Sequence, residues 1–158
     1  MRSMLDRPDF QDALRHVFEG MIPFCRTLGL KLEIVRRVAQ VSFARQDFML
    51  GNTKLGVLHG GVTAAVLDSI AGVAVLLEMA RTDPKPDVAA QLREFGRLST
   101  IDLRVDYLEP ARGERFVATA NVTRLGRRVA NVQMTLEDGE GRCVATGAAA
   151  FSLRAARE

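Results

Sequence analysis

Between Val62 and Leu77 the chain is apolar on every side, and Asp68 is its only charge. No other segment constrains the fold as strongly. A helix built from this stretch has no polar face, so most of its surface must be wrapped by protein. A bilayer is the other apolar surrounding to weigh. The near-apolar run from Val57 to Leu77 also contains His59, and both His59 and Asp68 are costly in a membrane. A buried helix is therefore expected, and no membrane span.

The wrapping must come from the rest of the 158 residues. Four strand-like runs follow the helix, at Ser99–Leu108, Glu114–Leu125, Arg127–Glu137 and Arg142–Leu153. Phe116, Ala118, Ala120 and Val122 alternate with more polar neighbours, as do Ala130, Val132, Met134 and Leu136, so these runs each have one buried face. Gly126 and Asp138-Gly139 supply turns between the last three. Upstream, Leu30–Arg45 is β-prone, with Arg36-Arg37 marking a turn or bulge, and the Gly- and Asn-containing stretch Gln46–Leu58 reads as a loop. Phe10, Leu14, Val17 and Phe18 recur at helical spacing over residues 9–20. Met21–Leu28 reads as a second short turn or helix ended by Gly29, and Asp87–Phe95 as a short helix. One apolar helix embraced by a curved antiparallel sheet buries all of this most simply, which makes the fold class α+β.

Composition narrows the function classes. Apolar residues at 47% and charged residues at 26% are the balance of a globular domain, and the length fits one. Cys25 and Cys143 are too few for a disulfide framework, no metal-ligand spacing is present, and no cofactor is expected. Residues 1–10 mix charges instead of placing a basic stretch before an apolar run, so no secretory signal is expected and the reducing cytoplasm is the expected compartment. The net charge of +3 reads as a solvated basic surface or as attraction to an anionic substrate. Nucleic acid is the poorer partner: there is no Trp, a single Tyr, and no basic run with interleaved aromatics.

The chemistry concentrates where the apolar helix begins. His59-Gly60-Gly61 opens it and Asp68 lies two turns on. A helix start exposes unpaired N–H groups and partial positive charge, and glycine lets an oxygen atom approach them closely. That suits an oxyanion formed when a carbonyl is attacked. A carboxylate on the same helix can serve as general base or nucleophile for acyl transfer. Each residue also has a plainer role open to it: His59 as a helix cap or packed loop residue, the glycines as a turn, Asp68 as a hydrogen-bonded core group. Gly60 and Asp68 are separated by about 12 Å along one helix axis. That is far for a single reacting carbon, and a site shared between two subunits would remove the difficulty.

His59-Gly60-Gly61 with Asp68 resembles the HGG-x(6)-D signature of the PaaI-like hotdog-fold acyl-CoA thioesterases. Ser99–Pro110, Arg112–Phe116 and Leu125–Arg128 resemble later landmarks of that family, and the likeness covers about residues 28–153. The N-terminal helix and segment 81–98 look closest to its YigI-like branch. The resemblance implies a single hotdog domain over residues 1–158, with 1–28 as a helical extension and 29–153 as the core. It implies hydrolysis of acyl-CoA, medium- to long-chain in that branch, at active sites on the interface of a homodimer that assembles into a homotetramer. By position, Asp68 matches the catalytic carboxylate. Gly60, with Gly61 beside it, matches the oxyanion donor, and His59 a supporting residue. Asn52 resembles an upstream asparagine, and Thr100, or its neighbour Ser99, a hydroxyl that helps hold water. Arg127 and Arg128 read as a solvated hairpin tip or as contacts to CoA phosphates, with Arg97 and Arg93 weaker choices. Met21, Phe24, Met49 and Leu50 read as core or as the lining of an acyl tunnel. Two other functions stay open: a hydroxyacyl-thioester dehydratase on the same fold, and a non-catalytic acyl-CoA-binding module.

Overall fold

A computed structural model describes residues 3–153. Its helices are α1 (Pro8–Arg15), α2 (Pro23–Thr27), α3 (Gly60–Thr82) and α4 (Val88–Phe95). Its strands are β1 (Lys31–Val35), β2 (Val38–Ala44), β3 (Leu50–Asn52), β4 (Val57–Leu58), β5 (Ser99–Tyr107), β6 (Arg115–Leu125), β7 (Val129–Asp138) and β8 (Cys143–Ser152). Six strands form one antiparallel sheet in the order β1-β2-β6-β7-β8-β5. It curls around α3, so the α+β architecture expected from the sequence is the one observed.

The helix is buried because its side chains have nowhere else to go. Val66, Leu67, Ile70, Val73 and Leu76 are all fully covered by the sheet and the flanking helices. By length and composition α3 could cross a membrane, yet here it is the core of the fold. Close packing of helix on sheet requires small residues in β8, and Gly147 is the tightest point. A Cβ there would lie 3.0 Å from Met134 Cε, 3.1 Å from the Arg104 carbonyl oxygen and 3.3 Å from Leu67 Cδ1, so any larger residue would crowd the layers.

The turns follow local chemistry. Arg36 and Arg37 both adopt positive φ, 51° and 66°, in the two-residue connection between β1 and β2. Arg37 then pairs with Asp6, tying the N-terminal segment to this corner. At the β7–β8 turn the Asp138 carboxylate accepts from the backbone N–H groups of Glu140 and Arg142 and from the Arg142 guanidinium. The Arg142 backbone bond is the largest of the effects that hold this carboxyl below the usual range, and desolvation opposes them. A carboxylate depressed in the folded state adds stability above its unfolded pKa and loses it as pH falls through the folded value. Asp138→Asn should therefore lower the melting temperature at neutral pH. The gap to the parent should narrow in melts taken at increasingly acid pH.

Two expectations need correction. Residues 46–58 are not a plain loop: a 3₁₀ turn at Asp47–Met49 leads into the two-stranded ribbon β3–β4. Strands of three and two residues carry no readable periodicity, so the ribbon leaves no trace in the hydrophobic pattern. The first helix also changes character, since α1 stops at Arg15 and His16–Met21 continues as a π-helical turn.

Candidate functional site

Helix α3 begins at a crowded corner. His59 is its N-cap, and its Nδ1 accepts from the Gly61 N–H at 2.9 Å. The His59 carbonyl accepts from the N–H of Val62 at 2.9 Å and of Thr63 at 3.4 Å. The first four N–H groups of a helix lack intrahelical partners. Here His59 takes three of them, and the Gly60 N–H makes no such bond among the described residues. Gly61, expected beside Gly60 as a donor, is thus committed to the cap. The plainer role weighed for His59 is the one it performs.

Both glycines also sit in tight surroundings, where an added Cβ would need a neighbouring side chain to give by a few tenths of an ångström. A Cβ on Gly61 would sit 3.0 Å from His59 Nδ1, and one on Gly60 would sit 3.1 Å from the Tyr107 hydroxyl. That hydroxyl donates to the Gly60 carbonyl at 2.8 Å. Tyr107 therefore fixes the first residue of the helix from β5, a role the sequence did not reveal, because the contact joins residues far apart in the chain. Gly60, Tyr107, Asn52 and Leu58 line one pocket of about 450 Å³. Asn52 reaches it from the β3–β4 turn, where its side-chain oxygen accepts from Leu55 N–H at 3.1 Å.

Asp68 lies elsewhere. Its carboxylate is half-buried and accepts from the Thr100 hydroxyl at 2.9 Å. With Thr100 donating to one oxygen, the other is free to act on a water, and the Thr100 lone pairs can accept from the same water. Ser99 is the next residue on β5, and strand alternation sends its side chain to the opposite face. The structure brings Thr100 to Asp68 and does not bring Ser99 there. Asp68, Thr100 and Ser69 face a second pocket of about 510 Å³ whose other walls are apolar.

Strand β5 connects the two halves. It holds Asp68 through Thr100 near its start and Gly60 through Tyr107 at its end. It is also a sheet edge, with an unpaired row of backbone groups, and Ile101, Tyr107 and Leu108 are more than half exposed there.

The three arginines gather at the Asp68 end. Ser152 pairs with both Ser99 and Val129, so Arg97, just before β5, and Arg127-Arg128, just before β7, share one end of the sheet. Arg97 is already paired with Glu94 at 3.1 Å, whereas Arg127 and Arg128 are exposed and make no ion pair among the described residues. Of the residues read as tunnel or core, Phe24 lines the Asp68 pocket and Met49 is core, while Met21 is 63% exposed. Among the described residues no cluster of three metal-ligating side chains occurs.

Comparison with known proteins gives consistent results. The thioesterase superfamily model matches residues 55–145. The medium/long-chain acyl-CoA thioesterase YigI of Escherichia coli K12 is 40% identical over 148 residues, covering 90% of this chain and 95% of that protein. A Shewanella oneidensis crystal structure described as related to the thioesterase superfamily superposes with a TM-score of 0.84 at 31% identity, covering 92% of this chain and 95% of that one. Thioesterase superfamily member 2 from Mus musculus superposes with a TM-score of 0.69 at 27% identity, covering 97% and 99%.

Proposed function

Because the chain belongs to the thioesterase superfamily, we propose that it hydrolyses acyl-CoA thioesters at a site shared between two subunits. Asp68 comes from one subunit and Gly60 from the other. The placement of these two residues at opposite ends of an exposed edge strand carries the reading. Two β5 strands paired antiparallel about Leu103 set Tyr107 of the partner subunit against Ser99. Tyr107 carries its Gly60 with it to the Asp68 end. The same pairing removes an open sheet edge and covers its apolar side chains.

Chemistry follows from the pairing. Asp68 draws a proton from a water positioned by Thr100, and the water oxygen attacks the thioester carbon. The carbonyl oxygen gains negative charge against the Gly60 N–H at the positive end of α3. The carbon–sulfur bond then breaks, and the CoA sulfur leaves with the proton that Asp68 had taken, which restores the carboxylate. Arg127 and Arg128 serve the CoA phosphates, where guanidinium geometry is favourable. The likeness to YigI supports medium- to long-chain acyl groups. A dehydratase needs a histidine base, whereas His59 Nδ1 accepts from the Gly61 N–H as the cap, which in the neutral ring puts the proton on Nε2 and leaves no ring nitrogen free to take one.

Thiol release followed with a thiol-reactive dye, over acyl-CoA substrates from acetyl to palmitoyl, tests the proposal. Turnover rising toward the longer chains is expected. No release from any member would reject hydrolysis.

A further inference from the structure

Strand β5 is irregular directly beside the Asp68 site. On the neighbouring strand β8, Ala149 and Phe151 are buried and face the core. Leu103 stands opposite Ala149 and Thr100 opposite Phe151, so both turn inward. Residues an odd number of positions apart on a regular strand point to opposite faces. Leu103 and Thr100 share a face because Ile101 is an extra residue between them. The register shifts between Thr100 and Asp102, which is a β-bulge on the edge strand.

Without the bulge, Ile101 would stand opposite Phe151 and turn inward, and Thr100 would stand opposite Ser152 and turn outward. Apolar burial favours that register. The chain adopts the other: Ile101 is 56% exposed, and the Thr100 hydroxyl reaches Asp68 at 2.9 Å. A local pattern that loses to a competing register is a frequent mark of a functional position. It also calls for an interaction made in the bulged register alone, since only a difference between two states biases their equilibrium.

Asp102 supplies that interaction. Alternation from Leu103 sends its side chain to the outer face of the sheet, beside Asn131, Gln133 and Ala148. There its Oδ1 accepts from the Ala150 N–H at 3.2 Å. In an uninterrupted antiparallel ladder a strand N–H bonds the carbonyl that faces it, and a side chain standing on the sheet has no claim on it. The carboxylate takes this N–H at the point where the ladder is broken.

We propose that Asp102 is a positioning residue for the hydrolysis: its carboxylate holds the β5 bulge from the outer face, and the bulge turns Thr100 onto Asp68. The inference rests on the reading that Asp68 and Thr100 together hold the attacking water. Asp102 touches neither the water nor the thioester, and acts through Thr100 alone.

The test compares Asp102→Ala with Asp102→Asn. The amide keeps an oxygen for the Ala150 N–H, whereas alanine has none. Crystal structures of both variants read the register without reference to turnover. In Asp102→Ala the bond from Thr100 to Asp68 should be lost, and in Asp102→Asn it should remain. On the acyl-CoA that wild type turns over fastest, kcat of Asp102→Ala should fall about tenfold or more with KM little changed, the scale of a small misplacement of a catalytic group. Asp102→Asn should stay near wild type. In a Thr100→Val background, Asp102→Ala should cost much less than it does alone, because the residue it positions is already disabled. Thermal melts verify folding, and if Asp102→Ala does not fold, Asp102→Val, a strand former without an acceptor, replaces it. An intact bulge and an intact bond to Asp68 in the folded alanine or valine variant overturn the proposal, as does an unchanged kcat once that bond is lost. Equal losses in the asparagine and alanine variants also overturn it, since they would assign Asp102 a charge role such as an ion pair across paired β5 strands. A bond lost in the alanine variant and kept in asparagine, while wild type hydrolyses no thioester, keeps Asp102 as the residue that positions Thr100 and rejects hydrolysis.

Discussion

Replacing Asp68 with alanine should reduce thioester turnover by about 10²–10⁴-fold, the usual scale for losing a positioned general base. The fold should survive, because Asp68 is half-buried at a pocket and its partner Thr100 is exposed to solvent. Deleting the carboxylate leaves no orphaned buried donor, so the melting temperature should shift little. Asp68→Asn sharpens the result. The amide keeps the size of the side chain and an oxygen for the Thr100 hydroxyl, yet it cannot take a proton. Turnover lost in both variants assigns the effect to the base. Turnover retained in Asp68→Asn would reduce Asp68 to a structural acceptor. Single-turnover kinetics on both proteins, with melts in parallel, would decide.

A comparable loss should follow from removing one hydrogen atom at the other end of β5. Gly60 is the first helical residue of α3, and proline is well tolerated there. His59, which precedes it, already has the extended backbone that a following proline requires, with φ −64° and ψ 134°. Gly60→Pro therefore deletes the N–H while leaving the helix start in place. Gly60→Ala is the control, since it adds a Cβ against the Tyr107 ring but keeps the donor. Loss of an oxyanion donor costs about 10²–10³-fold in turnover, so the proline variant should fall by that factor and the alanine variant by much less. Equal losses would mean that displacement of Tyr107, and no donor, is responsible.

The sequence carried the architecture because the strongest signals in it were unconditional. An all-round apolar helix permits few environments, and the alternation in β6 and β7 could be placed to within a residue or two. Residue type and spacing drew attention to Gly60 and Asp68, and the fold sets them in two separate pockets at opposite ends of β5. Thr100 was not: nothing local distinguishes it from Ser99, and only the resemblance singled it out before the strand register placed it on Asp68. Tyr107 stayed hidden for a related reason. Its contact with Gly60 is made across the fold, and a tyrosine on an edge strand reads as surface. The pocket walls were hidden too, because residues from the N-terminal segment and from α4 meet there only after α3 has been wrapped.

The shared site is the central claim, and mixing two inactive proteins tests it most directly. Asp68→Ala lacks the base and Gly60→Pro lacks the donor. In a mixed dimer one site combines both defects, while the other joins an intact Asp68 to an intact Gly60 across the interface. With random pairing, about half of the dimers are mixed and each holds one whole site, so about a quarter of wild-type turnover should return when the two chains are co-expressed. If the mixture stays as inactive as its parents while mass spectrometry finds mixed dimers, the base and the donor do not act across an interface, and the account fails.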